Sequence, residues 1–195
     1  MKSFPLLFSL VLIVTLCTSC FRPKAGFFTA ESYLKPFHEK LDEPLTIIID
    51  QNIENEFPVG RMDVSNFRHT LRLSLYYTFE TSVSNVEFSD TVAEEGITLQ
   101  LFRIRPDWVV RDRYNSVVVI DGYGWSSTFT EVASLIRYDG IVYRNGEKWL
   151  SLDQEVYSET TTFNRRDAPA VFEDGIREFC EDIYRIITAE YPKNS

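Results

Sequence analysis

The sequence predicts an α+β fold: a two-layer sandwich with two helices on one face of a mainly antiparallel sheet of about four to six strands. Three observations predict it. Apolar residues recur at three- and four-residue steps over 63–82 and again over 167–191, the mark of two amphipathic helices. Between them lie several runs with two-residue alternation. The resulting order is strand, helix, several strands, helix, and its long central meander suits an antiparallel sheet.

The first strand is the β-branched run 45–50, Leu-Thr-Ile-Ile-Ile-Asp. A polar connection with Pro58 and Gly60 leads to Asp63, a candidate N-cap. Val64, Phe67, Leu71, Leu75 and Phe79 then form the stripe of the first helix. Leu73, Tyr76 and Tyr77 fall off that stripe, so the helix is apolar over more than one face. Burial of both faces is the simpler account, and a partner-facing outer side is the other.

Residues 85–90 make a short strand, and 97–105 alternate with Ile97, Leu99 and Leu101 on one side. Pro106 is expected to interrupt that strand. The run Val117-Val118-Val119-Ile120 reads as a central strand with both faces covered. Residues 127–143 form one long strand, with Asp139-Gly140 a bulge within it rather than a turn. Asn145-Gly146 is the better hairpin turn, and 147–160 return with Leu150, Leu152 and Val156 on one face. Asp167 caps the second helix, Pro169 sits in its first turn, and Pro192 ends it. Its stripe runs through Phe172, Ile176, Phe179, Cys180, Ile183, Ile186 and Ile187.

The N-terminus gives an address. Lys2 precedes an apolar run over 4–16, which has the length of a signal-peptide core and is too short to cross a bilayer. The segment Leu16-Cys17-Thr18-Ser19-Cys20 resembles a bacterial lipobox, with Cys17 where leucine is usual. That resemblance implies cleavage before Cys20 and lipidation, including palmitate, at Cys20. Several acyl chains make a firm anchor, since each buried methylene contributes about 0.8 kcal/mol. Phe21 follows where aspartate would favour the inner membrane, which points to the outer membrane and a periplasm-facing domain. The expected organisation is a signal peptide over 1–19, a lipidated tether over 20–44 and a single domain over 45–192.

Removing residues 1–19 takes one lysine and no acid, so the formal charge moves from −9 to −10. Such a chain has no general attraction for nucleic acid or an anionic membrane. Loss of Cys17 and lipidation of Cys20 leave Cys180 alone, so no internal disulfide forms. The helical spacing of Cys180 marks it as a small buried hydrophobe.

A catalytic site is hard to assemble. His38 lies in the tether and His69 on the first helix, and no nucleophile elbow, zinc motif, Cys-x-x-Cys or phosphate loop occurs. The expectation is no enzyme, no cofactor and no metal. The distinctive patch is Arg103, Arg105, Trp108, Arg111 and Arg113 around Pro106. Arginines grip phosphate or carboxylate in paired bonds, so the patch is a candidate site for an anionic ligand or acidic partner. A solvated loop with Trp108 turned inward is the plainer account. Tyr123-Gly124-Trp125 is a smaller candidate contact.

The lipobox and the element order resemble small outer-membrane lipoproteins that assist envelope transport. The LPS-assembly lipoproteins, which sit inside a large barrel and help deliver lipopolysaccharide, are nearest. Auxiliary lipoproteins of ABC-type lipid transporters are similar in layout. The resemblance implies a membrane-anchored accessory with a barrel or transporter partner. The alternatives are a lipid or glycolipid carrier and, behind it, a periplasmic hydrolase using His69.

Overall fold

The computed structural model describes residues 24–25, 40–59, 62–120, 123–162 and 167–191, with the backbone alone at 24–25, 62, 112–120 and 123–129. The signal segment, Cys20, His38 and most of the tether lie outside them. The elements are β1 (Lys24–Ala25), β2 (Leu45–Ile49), β3 (Phe57–Val59), β4 (Met62–Val64), α1 (Phe67–Phe79), β5 (Val86–Phe88), β6 (Ile97–Ile120), β7 (Tyr123–Arg144), β8 (Glu147–Tyr157) and α2 (Ala168–Glu190).

The main sheet has five strands in the order β5-β2-β6-β7-β8. The β6-β7-β8 meander is antiparallel as expected, whereas β2 runs parallel to both β5 and β6, so the sheet is mixed. Parallel pairing of β2 with β5 requires a crossover, and α1 supplies it. All five β2 residues are buried. Both helices pack on one face, α1 toward β2 and α2 across β7 and β8. Phe67, Leu71, Leu75 and Phe79 of α1 meet Phe172, Phe179 and Ile183 of α2 over Ile47, Leu99 and Tyr138. Cys180 is buried among them, and burial pushes its thiol up to about 12.

Several elements depart from the expected ones. Asp63 lies in β4, and the residue before α1 is Asn66, whose φ of 57° suits asparagine's tolerance of the left-handed region. The helix ends at Phe79, and the chain turns through Ser82, whose N–H donates to the Phe79 carbonyl. The connection around Pro58 and part of the tether fold into a second small sheet, β1-β4-β3.

Pro106 does not interrupt β6, which runs unbroken from Ile97 to Ile120. β2 pairs with β6 only from Ile97 to Leu101, so beyond that point β6 is an edge strand, where proline is tolerated. The bulge expected at Asp139-Gly140 is there, but its extra residue is Phe102 on the facing strand. A Cβ on Gly140 would lie 2.6 Å from the Gln100 carbonyl oxygen, so the bulge closes on a bare backbone. A second bulge places Arg111 between Val110 and Asp112. Asn145 and Gly146 have φ of 51° and 78°, the two positive angles of a type I′ hairpin turn.

The largest difference concerns Val117–Ile120. The segment is not a central strand. β8 pairs with β7 only from Leu135 to Arg144, followed by one bridge between Val132 and Thr162. Beyond that bridge, residues 111–120 and 123–131 pair only with each other among the described residues. At about 3.3 Å per residue the two-stranded ribbon extends roughly 33 Å past the sheet.

Candidate functional site

The ribbon's root holds a cleft. Where β2 ends, the chain leaves through a turn in which the Asp50 carboxylate accepts from the Asn52 N–H at 2.7 Å. Ile53 is buried, and β3 then returns beside β6. This detour stands off from the free edge of β6 and encloses a cleft of about 320 Å³. Ile53, Phe57 and Pro58 form one wall, and Phe102, Ile104 and Pro106 the other. Glu54, Arg103 and Arg105 bring charge to the lining.

Trp108 fixes the spacing of the two walls. It is half-buried against the core, and its indole N–H donates to the Val59 carbonyl at 2.9 Å. It therefore ties β3 to β6 rather than presenting a face to a ligand. Arg103 is exposed and ion-paired across the strands with Asp139. Arg105 is exposed, stands opposite Arg137, and has no ion-pair partner among the described residues. Arg137 is engaged by Glu155 at 2.6 Å, with Asp107 at 3.9 Å, and the Glu155 hydrogen bond raises its pKa. Arg105 is thus, among the described residues lining the cleft, a cation left for an outside anion.

The five residues of the sequence patch are not brought to one spot. Arg103 and Arg105 line the cleft, and Trp108 turns inward. Arg111 sits in the second bulge with its guanidinium 5.6 Å from the Tyr157 ring centroid. The Arg113 side chain lies outside the described residues, as do those of Tyr123 and Trp125. Phe57 and Phe102 were not among the sequence candidates, whereas Asp50-Gln51-Asn52-Ile53-Glu54, a faint hint of a calcium loop, reads better as the turn it is. The aromatic Phe57 three residues after Glu54 was the available signal, and only the β3–β6 packing reveals it.

On α1, Tyr76 is exposed and meets Tyr77 edge-on at 5.5 Å, while Leu73 and Tyr77 are half-buried. Arg72 beside them lies 5.2 Å from the Phe88 ring centroid. His69 is exposed on the same helix. A separate charged cluster lies on α2. Arg177 sits among Glu159, Asp174, Glu178 and Glu181, and Asp174 also accepts from the Thr160 N–H at 2.7 Å. Burial raises the Glu178 carboxyl, against the opposing Arg177 hydrogen bond. This cluster locks the segment after β8 onto α2. Among the described residues no group of three or more potential ligands could hold a metal ion, and no helix is long and apolar enough to cross a membrane.

No protein-family model matches the sequence, and no curated protein matches it. Solved structures do resemble the fold. A Xanthomonas campestris protein of family DUF330 aligns with a TM-score of 0.50 at 13% identity, over 80% of this chain and 91% of that one. A minor lipoprotein from Acinetobacter baumannii aligns at 0.42 and 11% identity, over 77% and 93%. A Helicobacter pylori homolog of a neuraminyllactose-binding hemagglutinin aligns at 0.46 and 10% identity, over 83% and 90%. At such identities the likeness concerns architecture alone, and what this chain shares with the Xanthomonas protein is its α+β fold.

Proposed function

We propose that the chain is a lipoprotein anchored in the outer membrane through Cys20, facing the periplasm, and that it serves as a non-catalytic accessory of an envelope transport complex. The N-terminal order of charge, apolar run, small residues and cysteine supports the anchor. The observation that carries the binding role is the free edge of β6 at residues 102–106, opening into the cleft beside Arg105. A strand edge offers unpaired backbone donors and acceptors to an extended segment of a partner. Phe102 and Phe57 offer it an apolar seat, and Arg105 an anchor for a carboxylate.

Size favours this reading over the lipid carrier. A cleft of about 320 Å³ lies at the lower end of the ~300–1,000 Å³ range of small-ligand pockets. It takes a side chain or a small headgroup, not a whole glycolipid.

The test is a photocrosslinking residue at Phe102, activated in intact cells, followed by mild detergent pulldown from membranes. A discrete envelope-protein adduct, reduced at least several-fold by Arg105→Glu and by Cys20→Ala, is the expected result. Recovery of the chain without any protein adduct would overturn the accessory role. Bound lipid in that case would favour the carrier reading.

A further inference from the structure

The ribbon beyond the cleft has a composition unlike the rest of the chain. Charged residues make up 25% of the sequence. From Tyr114 to Thr130 there is one, Asp121. Register sorts this stretch into two unlike faces. Between Asp112 and Ile120 the pairing runs without a shift, so directly opposed residues share a face and alternate along it. One face pairs Tyr114 with Phe129, Val118 with Trp125 and Ile120 with Tyr123, with Ser116 and Ser127 between them and the acidic pair Asp112 and Glu131 at its inner end. The other pairs Arg113 with Thr130, Asn115 with Thr128, Val117 with Ser126 and Val119 with Gly124. Aromatic residues stand at both ends of the first face, the arrangement favoured where protein meets the headgroup layer.

We propose that this ribbon rests on a lipid surface, with its Tyr114–Ile120 and Tyr123–Phe129 face toward the acyl chains. Three further observations favour lipid as the occupant. Both ribbon edges lack strand partners among the described residues, and open edges are not tolerated deep in hydrocarbon, so the ribbon lies in the interface rather than across it. Arg111 and Arg113, with Asp112 and Glu131 beside them, form a charged collar at its inner end, which marks where the apolar face stops. The third is reach. β1 begins four residues after Cys20, a span of at most about 14 Å, and β1 belongs to the small sheet that Trp108 ties to the ribbon root. A membrane holding Cys20 is therefore close to the end from which the ribbon projects. This third observation rests on the anchor proposed above, whereas the two-faced register does not.

The full chain, purified in mild detergent with the N-terminus the cell gives it, is reconstituted into phosphatidylethanolamine–phosphatidylglycerol vesicles. The acyl chains are brominated near the headgroup or near the methyl end, and tryptophan emission is read. Headgroup-proximal bromine is expected to quench the share contributed by Trp125, one of three tryptophans. That quenching disappears in Trp125→Phe and weakens in Val118→Asp, while circular dichroism and melting stay unchanged. Equal quenching of wild type and Trp125→Phe would overturn the proposal. So would stronger quenching by deep bromine with dye leakage, which indicates ribbons from several copies closing into a barrel. Intact mass reports on Cys20 separately. Trp125-dependent quenching on an unmodified Cys20 removes the anchor and keeps the lipid face, and an acylated, floating chain without that quenching does the reverse.

Discussion

Tyr138 shows how single side chains hold the two layers together. It is fully buried, its ring meets Phe179 edge-on at 4.9 Å, and its hydroxyl donates to the Asp182 carboxylate at 2.7 Å. Burial and that bond both raise its pKa. Tyr138→Phe keeps the ring packing and loses a hydrogen bond to a charged acceptor, so urea unfolding should show a loss of about 1.5–3 kcal/mol. Glu178 acts in the other direction. Its raised pKa means that the folded state holds the proton more tightly than the unfolded chain does. Its contribution to stability therefore falls as pH rises from the ordinary glutamate range through the raised value. Glu178→Gln should melt roughly 1–2 °C higher near neutral pH. The gain should vanish at ~pH 3, below the ordinary glutamate pKa of about 4.3.

At the scale of the element, the bulge opposite Gly140 sets the course of the ribbon. Any side chain there meets the Gln100 carbonyl, which belongs to the paired backbone and cannot swing away. Gly140→Ala should cost about 1–3 kcal/mol and shift amide resonances around Phe102 more than those of α1. This bulge also marks the limit of what sequence patterns convey. Stripes such as Phe67-Leu71-Leu75 and Phe172-Ile176-Phe179 carry their own period, and Asn145-Gly146 carries its turn chemistry, so these elements were legible. The β1-β4-β3 sheet was not, because strands of two or three residues have no period to detect. Val117–Ile120 misled for a related reason. A continuous apolar run looks the same in a covered strand and in a ribbon, and its two-faced character appears only with the register against Tyr123–Phe129. The Arg103–Arg105 half of the site was visible as a charge cluster. Its other wall, Ile53 and Phe57, comes from a detour brought close by tertiary packing, and two bulges redistribute the remaining arginines.

Across the whole molecule, one arginine gathers the chain's distant ends. Arg144, at the close of β7, is ion-paired with Glu43 just before β2, and its guanidinium lies 5.7 Å from the Trp149 ring and 4.9 Å from the Tyr191 ring beyond α2. Tyr191 in turn donates to Glu43 at 3.1 Å. Arg144→Ala leaves Glu43 with one partner and should lower unfolding stability by about 1–2 kcal/mol, read by urea titration. The ribbon has a consequence on the same scale, for the chain in water. An unpaired strand edge is a template for self-association. Along the inner part of β6, Pro106 and the two bulges confine any pairing to the short stretch beside the cleft, and Arg113 adds a charge beyond it, as natural edge strands do. From Tyr114 to Ile120 none of these guards remains. In water without lipid or detergent, the chain should therefore precipitate through its own ribbon, and one charge at Val118 should keep it in solution.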